Sequence, residues 1–405
     1  ALTVTLLCAV APFLPLRPSS IMDHFLWWSV ATILTPAWVL AQWTFFFPED
    51  AAWAGVGYST AGFLTLLVVA KLLPASDPQL SIRMKPHSAA SGAAWAIALG
   101  LGAMILMVGL PDWSSLSFSS VYEKRAAFMA SLPILGARIS DWINFVFMPL
   151  AIILGLRYRR LGVAIMGVFG GLAIYAWMAT KNSLILIVAA AALYYLFAQR
   201  RWAIASFPGF LALLAVVPAV AAYVGSNTLL YFVARRTLIV PSFTMMGHAQ
   251  LGLGIGSAGD GMEWVYSAVT GLGSYDQLVY GSYAVGEMLR PGEELNANSH
   301  FLAFPMMWGS LLPVLLVALL TTVLIWMMDR AAAGADPLIA VPFGTAVAIN
   351  LSTAYLLDGL IAVGIALAII LLRVLPAPSG MIDRVLGHGH SGLGKSGMSP
   401  SGRFL

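Results

Sequence analysis

The chain has 405 residues, 60% of them hydrophobic and 9% charged, with a formal net charge of +4 at pH 7. That much apolar surface excludes a water-soluble domain and predicts an all-α, polytopic membrane protein. The single cysteine, Cys8, lies in an apolar run, permits no intrachain disulfide and points to no thiol or zinc chemistry.

Apolar runs of spanning length, ~20 residues each, fall at 1–16, 25–47, 51–73, 93–110, 134–156, 161–179, 184–199, 203–225, 301–327, 338–357 and 359–375, about eleven spans in all. The first opens abruptly as "ALTVTLLCAVAPFLPL", with no basic flank and no initiating methionine. It reads as a trimmed start, and the full protein is expected to hold up to twelve spans. Trp27, Trp28, Trp43 and Trp53 near the first spans read as an interfacial aromatic belt. Three connections stand out: 74–92, with Arg83, Lys85 and His87; 111–133; and 226–300, by far the longest. Residues 1–375 form the membrane domain. Residues 376–405, Gly/Ser-rich with His388 and His390, read as a disordered cytoplasmic tail.

Basic residues orient such a chain, because cytoplasmic loops carry the Lys/Arg excess. Placing "RYRR" (157–160) and "QRR" (199–201) in the cytoplasm leaves 14 basic and 5 acidic residues on that side and 7 and 12 on the other, a net +9 against −5 that makes up the total +4. The connections 111–133 and 226–300 then face outward, with Lys124, Arg125, Lys181, Arg235 and Arg236. Two readings of the arginine pair compete. Long cationic side chains snorkel to lipid headgroups, and guanidinium groups bind phosphate through a planar fork.

The two external loops share a pattern. In "VYEKRAAFMASLPILG" (121–136) Arg125 is followed by ten residues and Gly136, and in "VARRTLIVPSFTMMG" (233–247) Arg236 is followed by ten residues and Gly247. Each begins with a basic pair and carries a proline, Pro133 or Pro241. With "ATKNSLI" (179–185) at an external helix turn and "NANSHFLAFPMMWGSLLP" (296–313) re-entering the membrane, these stretches resemble the O-antigen or oligosaccharide repeat-unit polymerases, over roughly residues 90–375. The related O-antigen ligases carry an external His followed by Asn, Ser or Gln, nine residues and Gly. The matching positions here are Asn298, Ser299 and Gly309, with Asn298 in place of the histidine and His300 two residues on. That departure favours the polymerase over the ligase.

The resemblance implies a GT-C-like glycosyltransferase with a long external helical loop. It would work on the periplasmic face of the bacterial inner membrane on undecaprenyl pyrophosphate-linked oligosaccharides, with a chain-length regulator and a flippase as partners in the pathway. It implies no metal and no other cofactor. A flippase for the same lipid is the competing reading from another class. Transfer from a lipid pyrophosphate expels a charged leaving group that needs fixed cations or a metal. The sequence shows no clustered carboxylate or histidine set, so Arg125, Lys181, Arg235 and Arg236 are the expected pyrophosphate ligands. Arg138 is a further cation, but Asp141 three residues on suggests a local pair. A general base is sought among Glu123 and His248, each beside a basic motif. Tyr122, Asn298 and His300 are the expected glycan contacts.

Overall fold

The computed structural model of the protein describes residues 2–15, 18–42, 47–74, 83–113, 128, 132–178, 181–198, 240–255, 285–289, 299–354, 356–361 and 363–378. All regular structure among them is helical. The helices are α1 (Leu2–Val10), α2 (Ile21–Ser29), α3 (Thr35–Ala41), α4 (Glu49–Leu72), α5 (Pro86–Val108), α6 (Ile134–Trp142), α7 (Met148–Arg157), α8 (Leu161–Met178), α9 (Lys181–Ala198), α10 (Val240–Ile255), α11 (Leu311–Ala332), α12 (Pro337–Ala348), α13 (Leu356–Ile361) and α14 (Ile365–Val374).

Six stretches among the described residues are long and apolar enough to cross a membrane: Ile21–Ala41, Glu49–Leu72, Pro86–Val108, Ile134–Arg157, Leu161–Met178 and Leu311–Ala332. The expected eleven is not confirmed. The first run forms only the nine-residue α1 and a 3-10 turn, Ala11–Phe13. Asn182–Ala198, Pro337–Ser352 and Gly359–Val374 are shorter apolar helices, and 203–225 lies outside the described residues. The run 301–327 begins with a 3-10 turn, Phe304–Trp308, so its helix starts only at Leu311. Pro305 opens the 3-10 turn and Gly309, at φ 61°, ends it in the left-handed region.

Two of the six spans are built alike. In each, a nine-residue helix runs into a five-residue π turn, Val30–Leu34 or Ile143–Phe147, and then into a helix with proline in its first turn, Pro36 or Pro149. Proline has no N–H and its ring crowds the preceding turn, so the helix widens there. Thr35 N–H and Met148 N–H accordingly donate five residues back, to the carbonyls of Val30 and Ile143.

Faces sort by what they meet. On α4, Gly55, Ser59, Gly62 and Leu66 are buried at helical spacing against α10 and α11, while Leu64, Val68 and Leu72 are exposed. On α5, Trp95, Leu99 and Leu106 point outward. Helices apolar all round, with one face buried and the other open, suit lipid as solvent. Trp27 and Trp28 are half-buried. Their indole N–H groups donate to the Pro15 carbonyl and to Ser352 Oγ, each at 2.9 Å, so both are tied into the bundle.

Residues that the charge pattern assigns to one face gather at one end. Arg83 donates to the carbonyls of Leu372 (2.8 Å) and Ala333, capping the C-termini of α14 and α11. Burial lowers the pKa of that guanidinium from its usual value. Trp326 Nε1 donates to the Pro74 carbonyl at 2.9 Å. The Asp329 carboxylate accepts from Ile21 and Met22 N–H at 2.7 and 3.0 Å, and Ser20 with Asp23 forms a capping box, so the buried start of α2 is fully served. Asp336, 2% exposed, caps α12 through Leu338 N–H at 3.1 Å and pairs with Arg157 Nε at 2.8 Å. Asp336→Ala is expected to remove the cap, worth about 1 kcal/mol, and to strip the guanidinium of its partner, a combined loss of about 2 kcal/mol. Thermal unfolding in detergent should show a Tm several degrees lower, with Asp336→Asn, which keeps a capping oxygen, in between. An unchanged Tm in the alanine variant would remove Asp336 from the forces that hold this end.

Candidate functional site

The site grows from α10, which lies within the 226–300 connection. Its residues from Pro241 to Ala249 are buried apart from the half-buried Phe243. The helix packs on α4 and on the 3-10 turn Phe304–Trp308, so this part of the connection is built into the bundle rather than laid over it. The crossing with the 3-10 turn is backbone against backbone. A Cβ on Gly252 would collide with the Met306 carbonyl and lie 2.9 Å from Gly309 N. The Gly309 carbonyl in turn accepts from Tyr58 OH at 3.2 Å. Only glycine at both positions permits so close an approach.

That crossing brings two expected site residues together. His248 and His300 are both fully buried, and charge on His248 further lowers the pKa of His300. Burial is the larger cause in each case, taking His248 down to about 4, against the opposing Thr244 carbonyl, and His300 down to about 3. Both imidazoles are therefore neutral at physiological pH. His248 Nδ1 lies 2.7 Å from the Thr244 carbonyl. His300 Nδ1 accepts from Leu302 N–H at 3.2 Å. Ser299, also fully buried, donates to the Pro241 carbonyl at 2.7 Å and so fastens this segment to the start of α10. Ser242 Oγ is buried there with no hydrogen-bond partner among the described residues.

A third broken stretch joins them. After α12 the chain tightens into a 3-10 segment, Ile349–Thr353. Its Leu351 carbonyl accepts from Phe301 N–H at 3.1 Å, next to His300. Asn350 Oδ1 lies 3.5 Å from Asn182 Nδ2, on the first turn of α9, and Ser352 Oγ takes the Trp28 indole N–H. The start of α9, the His300 turn and the tip of α12 thus meet in one polar layer. Irregular backbone within an apolar bundle persists where protein buries it or a cavity receives it.

Lys181 heads α9, next to Asn182, and only its backbone is described. Tyr122, Glu123, Arg125, Arg235, Arg236 and Asn298 lie outside the described residues. Arg138 faces Asp141 at 3.8 Å, the local pair that its spacing suggested. Among the described residues no group of three or more His, Cys, Asp or Glu side chains could hold a metal ion. Asn350, Ser352, Ser242 and Tyr58 were missed in the sequence. The run "INLST" (349–353) held a usable signal, since an amide and two hydroxyls in one turn are out of place in the middle of a span. No family model, curated protein or solved structure matches the chain.

Proposed function

We propose that the protein is a membrane-embedded glycosyltransferase that polymerises lipid-linked oligosaccharide repeats. It transfers the glycan from one undecaprenyl pyrophosphate carrier to the terminal sugar of another. The observation that carries this reading is the convergence of the His248 helix with the Ser299–Gly309 segment. The serine and glycine of the ligase-like spacing both engage that helix, Ser299 through its hydrogen bond to the Pro241 carbonyl and Gly309 backbone to backbone against Gly252. In this reading the end bearing Arg83, Arg157 and Asp336 faces the cytoplasm of a bacterial cell, and the external cations Arg125, Lys181, Arg235 and Arg236 hold the pyrophosphate. The acceptor hydroxyl attacks the anomeric carbon. The C–O bond to pyrophosphate breaks, the lipid pyrophosphate leaves with the electron pair, and the hydroxyl proton passes to a base for which Glu123 and His248 are the candidates.

The two proline-broken spans also suit a flippase for the same lipid, since discontinuous helices frame many transport sites. One experiment decides. Purified protein in liposomes is given lipid pyrophosphate-linked repeats and excess chelator. A ladder of lengthened glycans is expected. Movement of the lipid between leaflets with no new glycosidic bond would establish the flippase instead, and a ladder that needs added magnesium or manganese would expose a metal site.

A further inference from the structure

The two ring nitrogens of His300 are not equivalent. Nδ1 receives the backbone N–H of Leu302 at 3.2 Å. An amide N–H only donates, so Nδ1 keeps its lone pair. Burial holds the ring uncharged. An uncharged imidazole with a bare Nδ1 carries its one proton on Nε2. Nε2–H is therefore a donor, fully buried, and among the described residues it meets no acceptor. His248 has the opposite tautomer. Its Nδ1 faces a carbonyl, which only accepts, so Nδ1 carries the proton and the lone pair sits on Nε2.

The donor is also held rigidly. Phe301 N–H is bonded to the Leu351 carbonyl on one side of the turn, Ala303 N–H to the His300 carbonyl on the other, and Leu302 N–H fixes the ring itself. A buried N–H with no partner costs stability, so such a group calls for an explanation. Fixed in place and shielded from water, it binds an incoming oxygen more strongly than the same group would in solvent. The described residues next to it, Ser299, Phe301, Leu302 and His248, carry no charge. An anionic oxygen would enter without a counter-ion there, whereas an uncharged one needs none.

We propose that His300 is a fixed hydrogen-bond donor, through Nε2–H, to an uncharged glycan oxygen, a hydroxyl or ring oxygen, and that it is not the base of the transfer. The assignment rests on the polymerase reading above. It divides labour between the histidines: His300 holds the sugar, and of the two only His248 has a lone pair on Nε2.

Two near-isosteric substitutions separate the ring's functions. Glutamine places an amide N–H close to the Nε2 position, and asparagine reaches only as far as Nδ1. His300→Gln is expected to keep polymer formation within about threefold of wild type, while His300→Asn and His300→Ala each lose about tenfold to a hundredfold, the range for a buried hydrogen bond left unmade. Equal, severe loss in all three would overturn the donor role in favour of proton transfer. A second measurement needs no turnover. In protein labelled with nitrogen-15 histidine and reconstituted in nanodiscs, the His300 signals, identified by their loss in His300→Asn, should show a protonated Nε2 and a bare Nδ1 at neutral pH. The reverse tautomer, or an imidazolium, would overturn the proposal whatever the enzymology. Failure of the wild-type protein to lengthen lipid-linked glycans would sink the polymerase reading and the glycan role with it, and the spectrum would still report the tautomer on its own.

Discussion

Gly252→Ala is expected to separate α10 from the His300 segment. The added methyl would be driven into the Met306 carbonyl and to 2.9 Å from Gly309 N, and neither is the yielding tip of a side chain. Overpacking a filled interior typically costs ~1–3 kcal/mol, and backbone opposed to backbone puts this site at the upper end, about 3 kcal/mol. The helix can relieve the clash only by moving away, which takes His248 from His300 and strains the bond from Ser299 to Pro241. Polymer formation should fall to background and the Tm of the purified protein should drop. Gly309→Ala should be at least as harmful, because its φ of 61° adds about 1–2 kcal/mol for a residue with a Cβ. Gly57→Ala is the control. It adds the same methyl on α4 where nothing lies within 4 Å, so stability and activity should be unchanged. A Gly252→Ala protein as stable and active as wild type would contradict the close crossing.

Arg236 carries the second large effect. If its guanidinium forks across two phosphate oxygens of the donor, lysine offers a charge but loses the second bond. Arg236→Lys should therefore impair polymer formation in cells at matched membrane expression. Arg236→Ala should be worse, by about a hundredfold, the usual cost of removing one group that stabilises developing charge, ~3 kcal/mol. An arginine that only anchors the chain to headgroups predicts another order, because lysine snorkels as well as arginine. Full activity in Arg236→Lys would favour the anchor, and full activity in the double variant Arg235→Ala/Arg236→Ala would remove the pair from the pyrophosphate site.

Much of the bundle was legible in the sequence, because hydrophobicity over a spanning length is a local property. The runs 51–73, 134–156 and 161–179 match Glu49–Leu72, Ile134–Arg157 and Leu161–Met178 within two residues at either end. The sequence said least where polar or helix-breaking residues interrupt an apolar run. "FLAFPMMWGS" and "AINLST" average out as hydrophobic, yet Pro305, Gly309 and Asn350 turn them into 3-10 segments. The two π turns were equally invisible, since Pro36 and Pro149 predict a break but not whether the chain kinks, widens or ends there.

For the site, the sequence by itself determined the candidates. It singled out His248 because it stands beside a basic motif and His300 because it follows the ligase-like spacing, and it set Arg83, Arg157 and Asp336 on one face through the bias of charge between loops. Only the tertiary structure decided that the two histidines meet, that they are neutral, and which nitrogen of each carries the proton. Those properties come from groups distant in the chain. The contact depends on Gly252 and Gly309 letting two backbones touch, the neutrality on burial by α4 and the 304–308 turn, and the His300 tautomer on a turn pinned by Leu351. Hydropathy and spacing describe a residue and its neighbours in sequence, whereas a buried imidazole takes its charge and its proton from whatever the fold places around it.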